Sequence, residues 1–498
     1  MAEESLGVKA GRAAIWQVAG GGWQTLVRLG ASVYLARALK PSDFGLFGMA
    51  LLYQQLIVTA LSMGFGTGLI VKKDITQEDL STSFWLSCIT RTIIFLAVFL
   101  TAPLAAMFWK EPRVEPIIRV IAFTLLLQII GMIPQTLATK NLEFKKLNII
   151  RAVAIVLESG TAIILVALTN LTYWALVIGM MLNAAFYNFV LWFSTGCWRP
   201  KFIFHREAFK YLFRFGVYTW LFGITNYLKQ NVDYFIVGRL LGTYKLGLYE
   251  FAYRLPHLVI ERVASPVGGV VFPALSKVQS DSEKIFNGYL KAVKFVALVT
   301  FPMLFGLIAI ADILVPVIWG SQWLPIIIPL QILSLCAVLR CLFQYMGAIF
   351  YCKNRPDLPF KISFITLFIA IIFISFMGYF YGLIGVAIGM LLSVFPSFVV
   401  QFCAFRFMLK VNPLRFYKGL LPVLFSSLWC AFSAYLIKEI LLYFHLDMKF
   451  ILIFSVIFGA LIYVVSLFVF FPSLVKEVFE NVELILGRKI NFKLCKIL

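Results

Sequence analysis

The chain has 498 residues, 61% of them hydrophobic and only 13% charged, with a formal charge of 44 − 23 = +21. A water-soluble domain charges roughly a quarter of its residues to cover its surface, so these proportions exclude one. In a membrane protein the positive excess signals basic loops beside anionic lipid. No zinc-finger spacing or aromatic-interleaved basic patch argues for a nucleic-acid partner.

The N-terminal MAEESLGVKAGR is polar and partly acidic. It is not a cleavable signal, so the first helix is expected to stay in place. Apolar blocks of about 20 residues or more follow, each long enough at about 1.5 Å per residue to cross a hydrocarbon core of about 30 Å. They predict an all-α polytopic membrane protein of about fourteen transmembrane helices, over 14–36, 44–71, 80–108, 116–139, 148–169, 172–194, 211–238, 246–272, 287–310, 324–350, 358–379, 383–405, 419–437 and 450–472. The stretch 311–325 fits either a short half-helix or a structured external loop. Residues 475–498 place Lys and Arg around an apolar stripe, the pattern of a helix lying on the cytoplasmic membrane surface.

Charge orients the spans. With flanking turns included, the loops on the side of the termini hold about 28 Lys and Arg and the opposite loops about 8, which places both termini in the cytoplasm and requires an even number of spans. The external loops are short. That argues against an enzyme housing its chemistry outside, and there is neither a D-x-D pair nor a G-x-x-x-x-G-K-[ST] loop for a nucleotide. Eight scattered cysteines without a CxxC, and three histidines, give no disulfide frame or metal site; no cofactor is expected.

One phrase is written twice. Residues 36–50, ARALKPSDFGLFGMA, and 238–252, GRLLGTYKLGLYEFA, align at an offset of 202, sharing Arg37/Arg239, Leu39/Leu241, Gly45/Gly247, Leu46/Leu248 and Ala50/Ala252. Both sit at the end of an odd helix, a tight turn and the start of the next. Helices 1–6 and 7–12 therefore read as two parallel copies of one unit. Repeats of this kind build transporters whose site lies between two rocking lobes. The expected division is an N-terminal lobe over 1–196, a cytoplasmic linker over 197–210, a C-terminal lobe over 211–409, helices 13–14 over 410–473 and a basic tail helix over 474–498.

The segments LARALKPSDFGLFGMA, NVDYFIVGRLLGTYKLGLYEFAYRLP, VVFPALSKVQSD and WGSQWLPIIIPLQIL resemble the polysaccharide-transport branch of the MOP superfamily, which contains the Wzx-like flippases of bacterial surface polysaccharides. The resemblance covers roughly residues 10–410. It implies a V-shaped fold of fourteen helices in the bacterial inner membrane that flips an undecaprenyl-diphosphate-linked oligosaccharide by alternating access, for O-antigen or exopolysaccharide assembly. A polysaccharide polymerase or export machinery is an implied partner. The motif residues Pro41, Asp43, Gly45, Gly247 and Pro273 read as turn-makers and packing contacts.

Charged side chains within spans are costly and should face a cavity or a partner. Arg119 and Arg214 lie near helix ends and can snorkel. Arg28, Arg91 and Arg340 lie deeper, without an acid at helical spacing, and either line an anionic cavity or pair across helices. With Arg254, Arg262 and Lys229 they are the candidate anionic-headgroup ligands, because guanidinium forks suit phosphate oxygens. Lys229/Asp233 and Glu250/Arg254 are spaced i,i+4, where a local ion pair competes with exchange of H⁺ or Na⁺. Asp233, Glu158 and Glu250 are the candidate ion-coupling acids. Gln24, Asn226, Tyr227, Gln230 and Asn231 are candidate sugar contacts, the last four forming the densest intramembrane polar cluster. Trp16, Gln17, Trp23, Tyr53, Gln54 and Gln55 fit helix–helix bonding or an aromatic belt equally well. The alternatives are a drug antiporter of the same superfamily, which the basic intramembrane charge disfavours, and a membrane polymerase or ligase.

Overall fold

The computed structural model describes residues 6–62, 76–194, 200–202, 206–355, 357–472 and 476, and the side chains of 12, 15–62, 76–194, 200–202, 223–355, 357–472 and 476. The side chain of Arg214, most of the tail helix over 475–498 and the end of the predicted span 44–71 lie outside what is described. The helices are α1 (Leu6–Ala38), α2 (Pro41–Leu61), α3 (Gln77–Trp109), α4 (Val114–Lys140), α5 (Phe144–Leu168), α6 (Tyr173–Ser194), α7 (Arg206–Ser276), α8 (Ser282–Ile318), α9 (Ile327–Cys341), α10 (Met346–Cys352), α11 (Asp357–Leu392), α12 (Phe395–Cys403), α13 (Leu414–Tyr443) and α14 (Met448–Phe470). Among the described residues no strand occurs.

Among the described residues, eleven continuous helical stretches are long and apolar enough to cross a membrane. Two of them, Gly223–Ser276 and Asp357–Met408, run to 54 and 52 residues, far beyond the 20 or so that span a bilayer. Each contains a glycine at positive φ, Gly242 at φ 80° and Gly382 at φ 59°. Only glycine takes that backbone region without a Cβ penalty, so the helical path of α7 and of α11 is interrupted there, between the two spans that hydropathy separates. Gly382 is therefore a turn residue. Gly385 and Gly389, in contrast, serve close packing: a Cβ on them would lie 1.9 Å from the Met377 carbonyl oxygen and 2.7 Å from that of Phe373.

One further expectation needs correction. The single helix predicted over 324–350 is broken, with a 3₁₀ turn over Ser321–Ile326, then α9, then a non-helical step before α10. The carbonyl freed there, that of Leu342, accepts the Tyr289 hydroxyl at 2.6 Å and Gln401 Nε2 at 3.0 Å. Pro396 does not kink a helix from inside. It stands at the first turn of α12, where its missing N–H costs nothing.

The chain forms two compact units, Met1–Gly247 and Leu248–Leu498. In the first, α5 packs on α1 and α6, and α4 on α2, α3 and α6. In the second, α8 is the central helix, packed on α9, α13 and α14. Around it Phe286, Tyr289, Phe405 and Phe416 interlock with centroids 5.3–5.6 Å apart, Phe405 edge to face with Phe286 and Tyr289 and Phe416 tilted against Tyr289 and Phe405. Lys438, its side chain only 3% exposed, joins α13 to α8 through Asp312 at 2.8 Å and also meets Glu439 at 3.1 Å.

The repeated phrase has a structural counterpart inside the first unit. A Cβ on Gly45 would lie 1.9 Å from the Thr243 carbonyl oxygen, and one on Gly247 would lie 1.8 Å from that of Pro41. Positions 41 and 243, like 45 and 247, are 202 residues apart. The two copies of the phrase thus pack on each other reciprocally, backbone on backbone. Such an approach is open only to residues without a side chain.

Candidate functional site

The structure sorts the intramembrane charges by what holds them. In the first unit, Arg28 on α1 donates from Nη2 to Glu158 Oε2 on α5 at 3.2 Å. The same carboxylate oxygen accepts Asn183 Nδ2 from α6 at 2.8 Å. Glu158 looked solitary in sequence except for Arg151, but its cation comes from another helix, while Arg151 turns to Tyr187, whose hydroxyl accepts from Nη2 at 3.1 Å. The Arg28 side chain is 62% exposed and that of Glu158 26%, so the guanidinium keeps donor positions open to an incoming anion.

Arg91 is different. It is half-buried, and its Nη1 donates to a neutral acceptor, Gln128 Oε1 on α4, at 2.8 Å. Among the described residues no carboxylate lies within ion-pair distance of it. Its hydrogen bond fixes the guanidinium without neutralising it, so the positive charge remains available. Arg119 near its helix end is paired locally with Glu115 at 2.8 Å.

The polar cluster on α7 divides by face. Asn226, Lys229 and Gln230 are exposed, at the i, i+3, i+4 spacing of one helix face. Tyr227 points elsewhere, its hydroxyl donating to the Leu52 carbonyl of α2 at 2.7 Å, and Asn231 bonds back to the Tyr227 carbonyl at 2.9 Å. Each of these two already holds one bond within the protein. Asp233 is buried. Gln24 is half-buried on α1, four residues from Arg28. Gln54 donates to the Ile121 carbonyl and the Thr124 hydroxyl, and Tyr53 to the Thr101 carbonyl, so both tie helices together.

In the second unit Arg254 and Glu250 form their i,i+4 pair at 3.1 Å, and the guanidinium also lies over the Phe251 ring at 4.5 Å. Arg262 is exposed. Arg340, at the end of α9 beside the helix break, donates from Nη1 to the Tyr253 hydroxyl at 2.6 Å and approaches the Met390 sulfur at 3.8 Å. Gln128, Asn183 and Tyr253 orient three of the candidates, yet nothing in the sequence singles them out. Each is a common residue type whose partner lies on another helix.

The model of the family described as "Polysaccharide biosynthesis protein" matches residues 34–329, well over half of the chain. The chain belongs to the polysaccharide biosynthesis protein family. Among curated relatives it is 31% identical over 301 residues to the teichuronic acid biosynthesis protein TuaB of Bacillus subtilis, covering 60% of this chain and 62% of that one. It is 29% identical over 363 residues to the lipopolysaccharide biosynthesis protein WzxC of Escherichia coli, covering 72% and 73%. Among solved structures, the lipid II flippase MurJ in an inward closed conformation matches 93% of this chain and 100% of its own, with a TM-score of 0.74 at 17% identity. An inward-facing multidrug resistance MATE transporter of the MOP superfamily matches 79% and 96%, with a TM-score of 0.61 at 16% identity. At those identities the structural likeness establishes the fold. This family member is a multi-pass, all-helical membrane protein with the fold of those two structures.

Proposed function

We propose that the protein is a flippase that carries a polyprenyl-diphosphate-linked oligosaccharide across the inner membrane for surface-polysaccharide assembly. The observation that carries this reading is Arg91, a half-buried guanidinium in a membrane span, fixed by a neutral glutamine and facing no carboxylate among the described residues. A cation at that depth is costly unless an anion or water offsets it, and a diphosphate supplies two or more negative charges with oxygens matched to a guanidinium fork. Arg28, held only by an exposed ion pair, is the second ligand in the first unit. The exposed Lys229 is a further cation of the first unit, where Gln24, Asn226 and Gln230 offer amides to a sugar, and Arg340, Arg254 and Arg262 are the candidate headgroup ligands of the second. The relatives named for teichuronic acid and lipopolysaccharide biosynthesis support the substrate class.

Fourteen spans with both termini cytoplasmic, arranged as two six-helix lobes plus two further helices, complete the reading. Splitting the two long stretches at Gly242 and Gly382 and adding α1 to the eleven stretches agrees with that number. Glu158 is the leading coupling carboxylate. An anion that recruits Arg28 leaves Glu158 with Asn183 alone and able to exchange H⁺ or Na⁺. Asp233 and Glu250 are its counterparts further along the chain, and a polymerase or export assembly receives the product.

The test uses purified protein in proteoliposomes with a fluorescent undecaprenyl-diphosphate-linked sugar, following its appearance on the opposite leaflet. Arg91→Ala is expected to abolish transfer while the protein inserts and purifies normally. Undiminished transfer by Arg91→Ala, with Arg28→Ala also fully active, overturns the anionic-cavity reading.

A further inference from the structure

After the turn at Gly242, α7 continues through 243–276. Within this stretch every fourth residue from 249 to 265 is polar: Tyr249, Tyr253, His257, Glu261 and Ser265. At 3.6 residues per turn this spacing winds one slow stripe along the helix, about 18 Å from Tyr253 to Ser265. From Tyr249 to Glu261 the side chains meet in that order. The rings of Tyr249 and Tyr253 stack with centroids 6.1 Å apart and planes at 9°, and those of Tyr253 and His257 lie 5.3 Å apart. His257 Nδ1 stands 3.8 Å from Glu261 Oε2.

The stripe emerges as it descends. Tyr249 is fully buried and Tyr253 half-buried, the side chains of His257 and Glu261 are 50% and 58% exposed, and Ser265 is exposed. His257 and Glu261 sit within about a turn of the middle of this helical stretch, the depth at which an ionisable group on the lipid side is most costly. Arg262 is exposed beside them. A face carrying a histidine, a carboxylate, a guanidinium and a hydroxyl at that depth borders water. At the buried end the Tyr253 hydroxyl accepts from Arg340 at 2.6 Å, so the stripe begins at a cation and runs to an acid.

We propose that this stripe is a carbohydrate track: sugar rings lie along the exposed Tyr253–His257 edge, and Glu261 and Ser265 bond their hydroxyls. The inference rests on the flippase reading and deepens it. The ring faces supply apolar surface for the C–H side of a pyranose, and a carboxylate makes charge-assisted hydrogen bonds to hydroxyl donors. The sign of the charge sets the direction. Glu261 repels a phosphate, so the diphosphate lies toward Arg340 and the oligosaccharide extends toward Ser265. A track of this length fits an extended oligosaccharide rather than a single ring.

The experiment compares two probes on the full-length protein in proteoliposomes: undecaprenyl diphosphate carrying one sugar, and the same lipid carrying an oligosaccharide. His257→Leu and Glu261→Gln change exposed side chains and leave the packing intact. Glu261→Gln is expected to slow the oligosaccharide-linked lipid by about tenfold, the weakening of one hydrogen bond to a charged group, and to leave the single-sugar lipid within about twofold of the parent, whereas His257→Leu, which removes a ring on which the first sugar lies, is expected to slow both. Equal effects of Glu261→Gln on both lipids, or none on either, overturn the track. If the unaltered protein moves neither lipid, the flippase reading fails by itself. Binding of the free oligosaccharide to the detergent-solubilised protein, followed by calorimetry, then decides the track: binding lost in Glu261→Gln supports it, and binding unchanged or absent in the parent rejects it.

Discussion

Replacing Gly45 by alanine asks how tightly the two copies of the repeated phrase meet. The added Cβ would lie 1.9 Å from the Thr243 carbonyl oxygen. A relaxed carbon–oxygen contact is about 3.3 Å, so the two backbones must part by about 1.4 Å. The obstacle is main chain and has no rotamer to change. Overpacking of this kind costs about 1–3 kcal/mol, and the upper end applies where backbone must move. Against this, alanine is favoured over glycine within a helix by about 1 kcal/mol. The balance is a loss of about 2 kcal/mol, which in a unit of 247 residues lowers Tm by roughly 4–8 °C. Gly247→Ala meets the Pro41 carbonyl oxygen at 1.8 Å and should behave alike. The double variant should cost less than the sum, because one separation relieves both clashes. Gly22→Ala and Gly160→Ala, whose Cβ positions have no neighbour within 4 Å, serve as controls and should hold or gain stability. Thermal unfolding of detergent-solubilised protein followed by intrinsic fluorescence makes the measurement. Gly45→Ala with the Tm of the parent would refute the backbone contact.

Other outcomes follow from single contacts. Asp312→Ala leaves the buried Lys438 with Glu439 alone; because Asp312 is itself half-exposed, the loss should be about 1–2 kcal/mol, whereas Lys438→Met should be close to neutral, read from the same unfolding curves. Thr76→Ala removes the hydroxyl that accepts the Asp79 amide at 3.2 Å in the capping box of α3 and should cost about 1 kcal/mol. Asp357, at the start of α11, is held below the usual carboxylate range by hydrogen bonds from Arg355 and Lys361. Its folded-state pKa lies below the unfolded one, so its stabilisation is complete above about pH 3.9 and fades as pH falls through the folded value. The difference in Tm between the parent and Asp357→Asn should shrink only under strongly acidic conditions, and a difference that vanishes already at pH 5 would contradict the pairing.

The parts of this fold legible in sequence were those written locally. Long apolar runs mark helices wherever the solvent is lipid, and the glycines at 242 and 382 fall where hydropathy separates spans. The i,i+4 pair Glu250/Arg254 forms because one helix holds both partners. What was hidden needed a second helix. Glu158 looked lone because Arg28 is 130 residues away, and Gln128 and Asn183 gain meaning only when packing brings them to a charge. The break after Cys341 carries no glycine or proline at its centre. It exists because Tyr289 and Gln401, from two other elements, capture the Leu342 carbonyl.

The central claim is that a lipid-linked saccharide is the cargo. Its most direct test is the lipid content of cells lacking the protein, resolved by leaflet. The account predicts that a polyprenyl-diphosphate-linked oligosaccharide accumulates on the cytoplasmic side and that the parent chain clears it, whereas Arg91→Ala does not. A lipid pool identical with and without the protein would contradict it.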